Sequence, residues 1–213
     1  MGLGMVPCEA GSQFLPVDFS RGTPPFLRQK EGGWKAQLLQ VAQLGHPILR
    51  QKCQEVPKVI SGQGIQLLID DMIATCLDID GVGIAAPQVY SPIRLFIVAS
   101  RPNARYPNAP EMEPTAIINP VIHAASNETE KDWEGCLSIP GIRGLILRSK
   151  SIDVSYFNRH GDKETKTFEG FVARVFQHEF DHIEGTVFTD RVDRKEIVTE
   201  KEYQRILREK QKA

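Results

Sequence analysis

Two histidines four residues apart, His178 and His182, with Glu179 directly after the first, make "VFQHEFDHIEG" (175–185) the stretch where chemistry is easiest to read. On a helix, residues i and i+4 stack on one face, so both imidazoles can point at one metal ion. The intervening glutamate then lies beside a water that the ion activates and can accept its proton. A helix over 168–184 places Phe168, Phe171, Val172, Val175, Phe176 and Ile183 on one arc, with both histidines at its edge and Glu179 near its middle. Arg174, Gln177, Asp181 and Glu184 fall on the opposite arc. A carboxylate in the middle of a buried face is costly unless something uses it.

A catalytic metal site keeps three protein ligands and one open position. The third histidine of the H-E-x-x-H-x-x-G-x-x-H pattern is missing from "HEFDHIEGTVF". Downstream glutamates (Glu196, Glu200, Glu202) are one source of a third ligand. Cys136 in "WEGCLSIPG" is a better one, because it sits beside Glu134 between glycine-bearing turns. Taken alone, a cysteine is more often a small core residue, and Cys76 in the helix expected over 64–79 reads that way.

The elements that must position these residues belong to an ordinary globular chain. It has 213 residues, 41% apolar and 25% charged, with a net charge of −1 that gives no whole-molecule hint of nucleic acid. Four scattered cysteines are too few for a disulfide framework and read as reduced thiols of a cytosol-like compartment. No apolar run approaches the roughly 18 residues of a membrane span. Residues 1–38, rich in proline and glycine without a sustained period, read as an extended or disordered N-terminal extension. They could instead be an organellar transit peptide, which would move the protein from the cytoplasm to a stroma or matrix. Residues 39–213 read as a single catalytic domain. Within it "PIRLFIVA" is a strand, "TAIINPVIHAA" a strand pair or a strand bent at Pro120, and "SIDVSYFNRHGDKETKTF" a hairpin. A last helix is expected over 194–213. Strands in hairpins plus separate helices argue α+β.

"GVGIAAPQ" (81–88) also matches a dinucleotide fingerprint, which requires a strand before it and a helix after it. Here a helix is expected before it and Pro87 and Pro92 follow, so a tight glycine-bearing strand that admits a peptide backbone fits better.

"GVGIAAPQ", "EGCLS" (134–138) and "QHEFDHIEG" (177–185), in this order, resemble the three signature motifs of peptide deformylases. The resemblance runs from about 44 to 192; Ile84 and Ile183 stand where leucine is common. It implies an α+β fold of mainly antiparallel strands wrapped around the H-E-x-x-H helix. It also implies removal of the N-formyl group from the methionine of new polypeptides, releasing formate. Cys136, His178 and His182 would hold one divalent metal, natively Fe²⁺, with zinc, nickel or cobalt equally permitted by ligand type. Glu179 would be the general base, and Gln88 and the Leu137 N–H would stabilise the oxyanion. Val82, Gly83 and Gly135 would meet the peptide backbone. Val82, Glu134, Phe171, Arg174 and Val175 would line the methionine pocket, Arg174 being polar where an apolar residue is frequent. An ion pair of Asp181 with Arg148 is expected to brace the helix. On the last helix Lys201, Arg205, Arg208 and Lys212 form a basic stripe, beside an apolar stripe of Tyr203, Ile206 and Leu207. Some bacterial members of the family reach the ribosome through such a helix, which makes ribosomal RNA a candidate partner.

Overall fold

The structure, a computed structural model, describes residues 36–57, 62–103 and 105–210. Almost all of the expected N-terminal extension, 1–38, thus lies outside the described residues. The elements are α1 (Gln63–Asp78), β1 (Gly83–Ala85), β2 (Leu95–Val98), β3 (Thr115–Ala125), β4 (Thr129–Cys136), β5 (Ile139–Ser149), β6 (Ser151–Phe157), β7 (Lys163–Glu169), α2 (Gly170–Ile183), β8 (Ile197–Thr199) and α3 (Glu200–Lys210). They build two sheets, a five-stranded one in the order β1-β2-β3-β6-β7 and a three-stranded one in the order β4-β5-β8. All strand pairs within them are antiparallel, as the α+β expectation requires. Among the described residues no helix is long and apolar enough to cross a membrane.

The period of two along β2 explains how the sheet is held. Leu95 and Ile97 join α1 residues Ile65, Ile69, Met72 and Cys76 in one core cluster. Phe96 and Val98 point the other way and join Ala173, Val175, Phe176 and Ile183 of α2 in a second cluster. All four β2 residues are buried, so the strand reads as a continuous apolar run, as a doubly covered strand should. A third cluster, with Ile139 and Ile146 of β5 and Val187 and Phe188 after α2, lies under the smaller sheet. Helix α2 touches β1, β2, β6 and β7 of one sheet and β5 of the other, which is the central placement expected of the H-E-x-x-H helix.

Two expectations need correction. The helix begins at Gly170 rather than 168, because Phe168 pairs with Ile152 across the β6–β7 hairpin. On its polar arc Arg174 and Asp181 are each only 5% exposed, because the smaller sheet covers that side. The last helix begins at Glu200, not 194. Its first residues form a 3-10 turn (Arg194–Glu196) and then β8, since the β-branched run Ile197-Val198-Thr199 pairs with Ile142 to Gly144 of β5. Lys212 of the basic stripe lies outside the described residues. The bent-strand reading of 115–125 holds: Asn119 has φ +48°, and its side chain bridges the backbone N–H (2.8 Å) and carbonyl (2.9 Å) of Val56.

Gly185 ends α2 in a Schellman motif, with the Gly185 N–H donating to the His182 carbonyl (3.1 Å) and the Thr186 N–H to the Asp181 carbonyl (2.9 Å). Its φ is +78°, and a Cβ there would stand 2.8 Å from the Arg50 carbonyl oxygen. Gly185→Ala therefore combines left-handed strain with a backbone clash and is expected to cost about 1–3 kcal/mol. Urea unfolding checks this; a loss below about 0.5 kcal/mol would mean that the 50–51 backbone yields freely.

Candidate active site

Cys136 ends β4 and is followed by the two-residue turn Leu137-Ser138 into β5. The β4–β5 register shifts between Glu134 and Cys136, which gives Gly135 the character of a bulge. This hairpin end lies against α2. The Cys136 Sγ is 3.2 Å from His182 Nε2, and the ligand atoms of Cys136, His178 and His182 all lie within 4.8 Å of one another. The two imidazoles face each other edge to face with centroids 5.1 Å apart. Of the third-ligand candidates, Cys136 joins the histidines. Glu196 pairs with Lys131, Glu200 with Arg143 and Glu202 with Arg205.

The donor set fits a divalent ion. Thiolate and two imidazoles suit zinc or ferrous iron. His178 offers its Nδ1 to Glu134 Oε2 at 2.9 Å, which leaves Nε2 for an ion. His182 Nδ1 and Glu179 Oε2 are buried without a hydrogen-bond partner. Such groups cost free energy unless the site is used. Burial pushes the Glu179 carboxyl up to about 7, the range of a proton carrier at neutral pH. Gly83 makes room for it: a Cβ there would stand 2.5 Å from Glu179 Oε1.

Behind the histidines runs a buried ionic relay. Glu134 receives both arms of Arg148 (Nε to Oε1 and Nη2 to Oε2, each 2.9 Å) and Arg174 Nη1 at 3.0 Å. Burial alone would raise its carboxyl, but the Arg148 and His178 hydrogen bonds hold it far below the usual carboxylate range. Arg148 also donates from Nη1 to Asp181 Oδ2 at 2.6 Å, and Arg191 grips Asp181 from outside. The brace expected between Asp181 and Arg148 is present, and both residues are buried.

A cavity of about 460 Å³ opens onto the cluster. Val82, Gly83, Gln88, Glu134, Gly135, Cys136, Leu137, Phe171, Arg174, Val175, His178 and Glu179 all line it, so the structure brings these sequence-chosen residues to one place. His182 closes the cluster from within, 1% exposed. Gln88 is fixed by accepting from the Ala85 N–H (2.8 Å), and its amide nitrogen reaches Ser138 Oγ (3.1 Å) and Cys136 Sγ (3.5 Å). Arg174 contributes wall rather than an open charge: its head is spent on Glu134, the Ile146 carbonyl (3.0 Å) and the Glu130 carbonyl (2.7 Å). Sequence reasoning did not place Tyr106, Trp133 and Arg143 on this cavity. Their signal was contextual: Trp133 and Arg143 flank the cysteine motif.

Breaking a buried ion pair strands a charge. A double-mutant cycle with Arg148→Gln and Asp181→Asn, followed by urea unfolding, is expected to give a coupling of about 1–3 kcal/mol. Coupling below about 0.5 kcal/mol would make the pair incidental to the helix–sheet joint.

The sequence model of the family described as polypeptide deformylase matches residues 38–197. "Peptide deformylase 2" of Nostoc sp. is 55% identical over 172 residues, covering 80% of this chain and 96% of that protein. "Peptide deformylase 2" of Shewanella oneidensis is 47% identical, covering 72% of this chain and 83% of that protein. Among solved structures, the Met-Ala-Ser-bound class I type b peptide deformylase of Acinetobacter baumannii superposes with a TM-score of 0.73. It is 43% identical and covers 74% of this chain and all (100%) of that one. The peptide deformylase of Thermotoga maritima gives a TM-score of 0.66 at 39% identity, over 74% of this chain and 99% of that one. Joined to a hairpin cysteine, an H-E-x-x-H helix and two antiparallel sheets, these matches show that the chain belongs to the polypeptide deformylase family, metal-dependent hydrolases that remove the N-formyl group from the N-terminal methionine of new polypeptides.

Proposed function

We propose that residues 39–213 form one catalytic domain that deformylates nascent chains with Cys136, His178 and His182 as metal ligands and Glu179 as general base. The observation that carries this reading is the buried, unpartnered Glu179 carboxylate beside a three-ligand cluster on the cavity wall. When bound, the ion supplies Lewis acidity toward a water molecule and a carbonyl oxygen. We assign ferrous iron as the native ion on the strength of family membership, since one thiolate beside two imidazoles permits zinc, nickel or cobalt as well.

The chain's own residues do the rest. Glu179 takes a proton from the attacking water, whose oxygen bonds to the formyl carbon. The Gln88 amide and the Leu137 N–H receive the charge that develops on the carbonyl oxygen. Glu179 then delivers its proton to the amine as the C–N bond breaks, giving formate and a free amino terminus. Val82, Gly83 and Gly135 hold the peptide backbone beside the cluster. Glu134, Phe171, Arg174 and Val175 enclose the methionine side chain, with the Glu134 charge already consumed by its arginines.

The substrates are N-formylmethionyl nascent chains, met in a cytoplasmic or organellar translation compartment, and residues 1–38 are an extension outside the chemistry. A contact of α3 with ribosomal RNA is proposed on narrower support. Lys201 and Arg208 are exposed, but Arg205 is held between Glu202 and Glu209, which weakens the stripe as a phosphate binder. Co-sedimentation with ribosomes should fall steeply with salt and be lost in Lys201→Glu/Arg208→Glu; insensitivity to both would remove the tether.

Formate release from a formyl-Met peptide, with metal analysis of anaerobically purified protein, tests the main reading. Glu179→Gln should retain metal while turnover drops by about 10²–10⁴-fold. Cys136→Ser should lose iron or exchange it for zinc, a hydroxyl being a much poorer ligand than thiolate. Near-normal turnover in the first variant, or unchanged iron in the second, would refute the assigned role.

A further inference from the structure

The outer half of the cavity is built differently from its floor. Arg143 of β5, only 3% exposed, lies in its wall with its guanidinium between two tyrosine rings, 5.5 Å from the Tyr106 centroid and 4.9 Å from that of Tyr203. Its Nη1 donates to the Tyr106 hydroxyl at 2.9 Å, and its Nε donates to Glu200 Oε2 at 2.6 Å. Glu200 is the first residue of α3, and it lines the same cavity as Cys136 and Glu179. Its other oxygen accepts from Gln204 Nε2 at 2.9 Å, so the carboxylate is fixed from both sides. Burial would raise its carboxyl, but the hydrogen bonds from Arg143 and Gln204 and the nearby arginine charges together outweigh this, and Glu200 stays ionised at neutral pH. Arg105, exposed on the rim, adds a second positive charge within electrostatic reach of Glu200. Asp80, the other acid of the rim, is engaged with Arg101 at 3.3 Å.

We propose that Glu200 is a specificity-determining residue: it cancels one of the two positive charges that Arg143 and Arg105 bring to the cavity, and so mutes the preference for acidic over basic residues after the formyl-methionine. The proposal rests on the deformylase reading, since it concerns the part of a formylated peptide that leaves the cavity. It follows from placement and charge. The floor of the cavity is occupied by the ligand cluster and Glu179. A peptide anchored there by its formyl-methionine shares the cavity with Tyr106, Trp133, Arg143 and Glu200, which also line it. Without the Glu200 charge, both arginine charges would be left unopposed and attract acidic side chains more strongly. An enzyme that serves many nascent chains gains breadth from a rim of reduced charge.

The test compares kcat/KM of full-length, metal-loaded enzyme for formyl-Met-Asp-Ala and formyl-Met-Lys-Ala. In Glu200→Gln the Asp-to-Lys ratio should rise about three- to tenfold at low ionic strength and collapse near about 0.5 M salt. Glu200→Lys should move it further in the same direction. Because the readout is a ratio on one preparation, loss of folded protein scales both peptides equally. A ratio unmoved in both variants, or one shifted toward the lysine peptide, would overturn the proposal. If the unsubstituted enzyme releases formate from neither peptide, the deformylase reading itself fails, a result distinct from an unmoved ratio.

Discussion

The joint between the cysteine hairpin and the histidine helix is centred on one carboxylate. Glu134 leaves the smaller sheet and is held by Arg148 of the same sheet and by Arg174 and His178 of α2. Removing these charges from water is expensive, and the expense is offset only because each is paired and hydrogen-bonded. The arrangement fixes more than proximity. By accepting from His178 Nδ1, Glu134 selects the tautomer whose Nε2 lone pair faces the cavity. Arg148 extends the constraint to Asp181, the residue before His182, and so anchors that turn of α2, while the His178 ring is the one the network holds directly. Apolar packing could press a hairpin against a helix, but it could not fix an imidazole's rotation.

The division of the chain into two sheets follows from this joint. The larger sheet carries α2 on an apolar interface built by Phe96, Val98 and Phe176. The smaller sheet brings Cys136 and the arginine network to the opposite side of the same helix. The candidate metal ligands therefore come from the smaller sheet (Cys136) and from the helix between the two sheets (His178 and His182). Gly83 lets β1 approach the glutamate that the helix presents into the cavity, and the Schellman turn at Gly185 stops the helix right after its second ligand.

The sequence showed the chemistry more clearly than the surfaces around it. The spacing of His178 and His182, the setting of Cys136 and the alternation about 158–162 were legible, because each depends on local periodicity or on residue types with few other uses. Helical periodicity could not show what covers the polar arc. Arg174 and Asp181 lie opposite the apolar arc on a wheel and are nevertheless buried, since a second sheet supplies them with partners. The same limit applies at the C-terminus. Helix propensity over 194–199 was overridden by an edge position on β5, which three β-branched residues fill. Tyr106, Arg143 and Glu200 lie far apart in sequence, and only tertiary folding makes them one wall.

Metal binding at this candidate cluster would be coupled to folding by where its residues come from. An ion held by Cys136, His178 and His182 would cross-link the smaller sheet to a helix packed on the larger one. The site carries two buried unpartnered atoms, His182 Nδ1 and Glu179 Oε2, and a carboxyl whose proton affinity is raised by burial. A divalent charge nearby favours the ionised form of Glu179, which is the form needed to accept a proton. The ion and the base are thus interdependent: burial makes the glutamate a poor anion by itself, and the cation makes that same burial useful. The arginine relay holds its place whether or not the ion is bound, because each of its charges has a protein partner. The fold accordingly holds Glu134, Arg148 and Asp181 in a paired ionic frame and leaves His182 Nδ1 and Glu179 Oε2, beside the candidate metal site, unsatisfied.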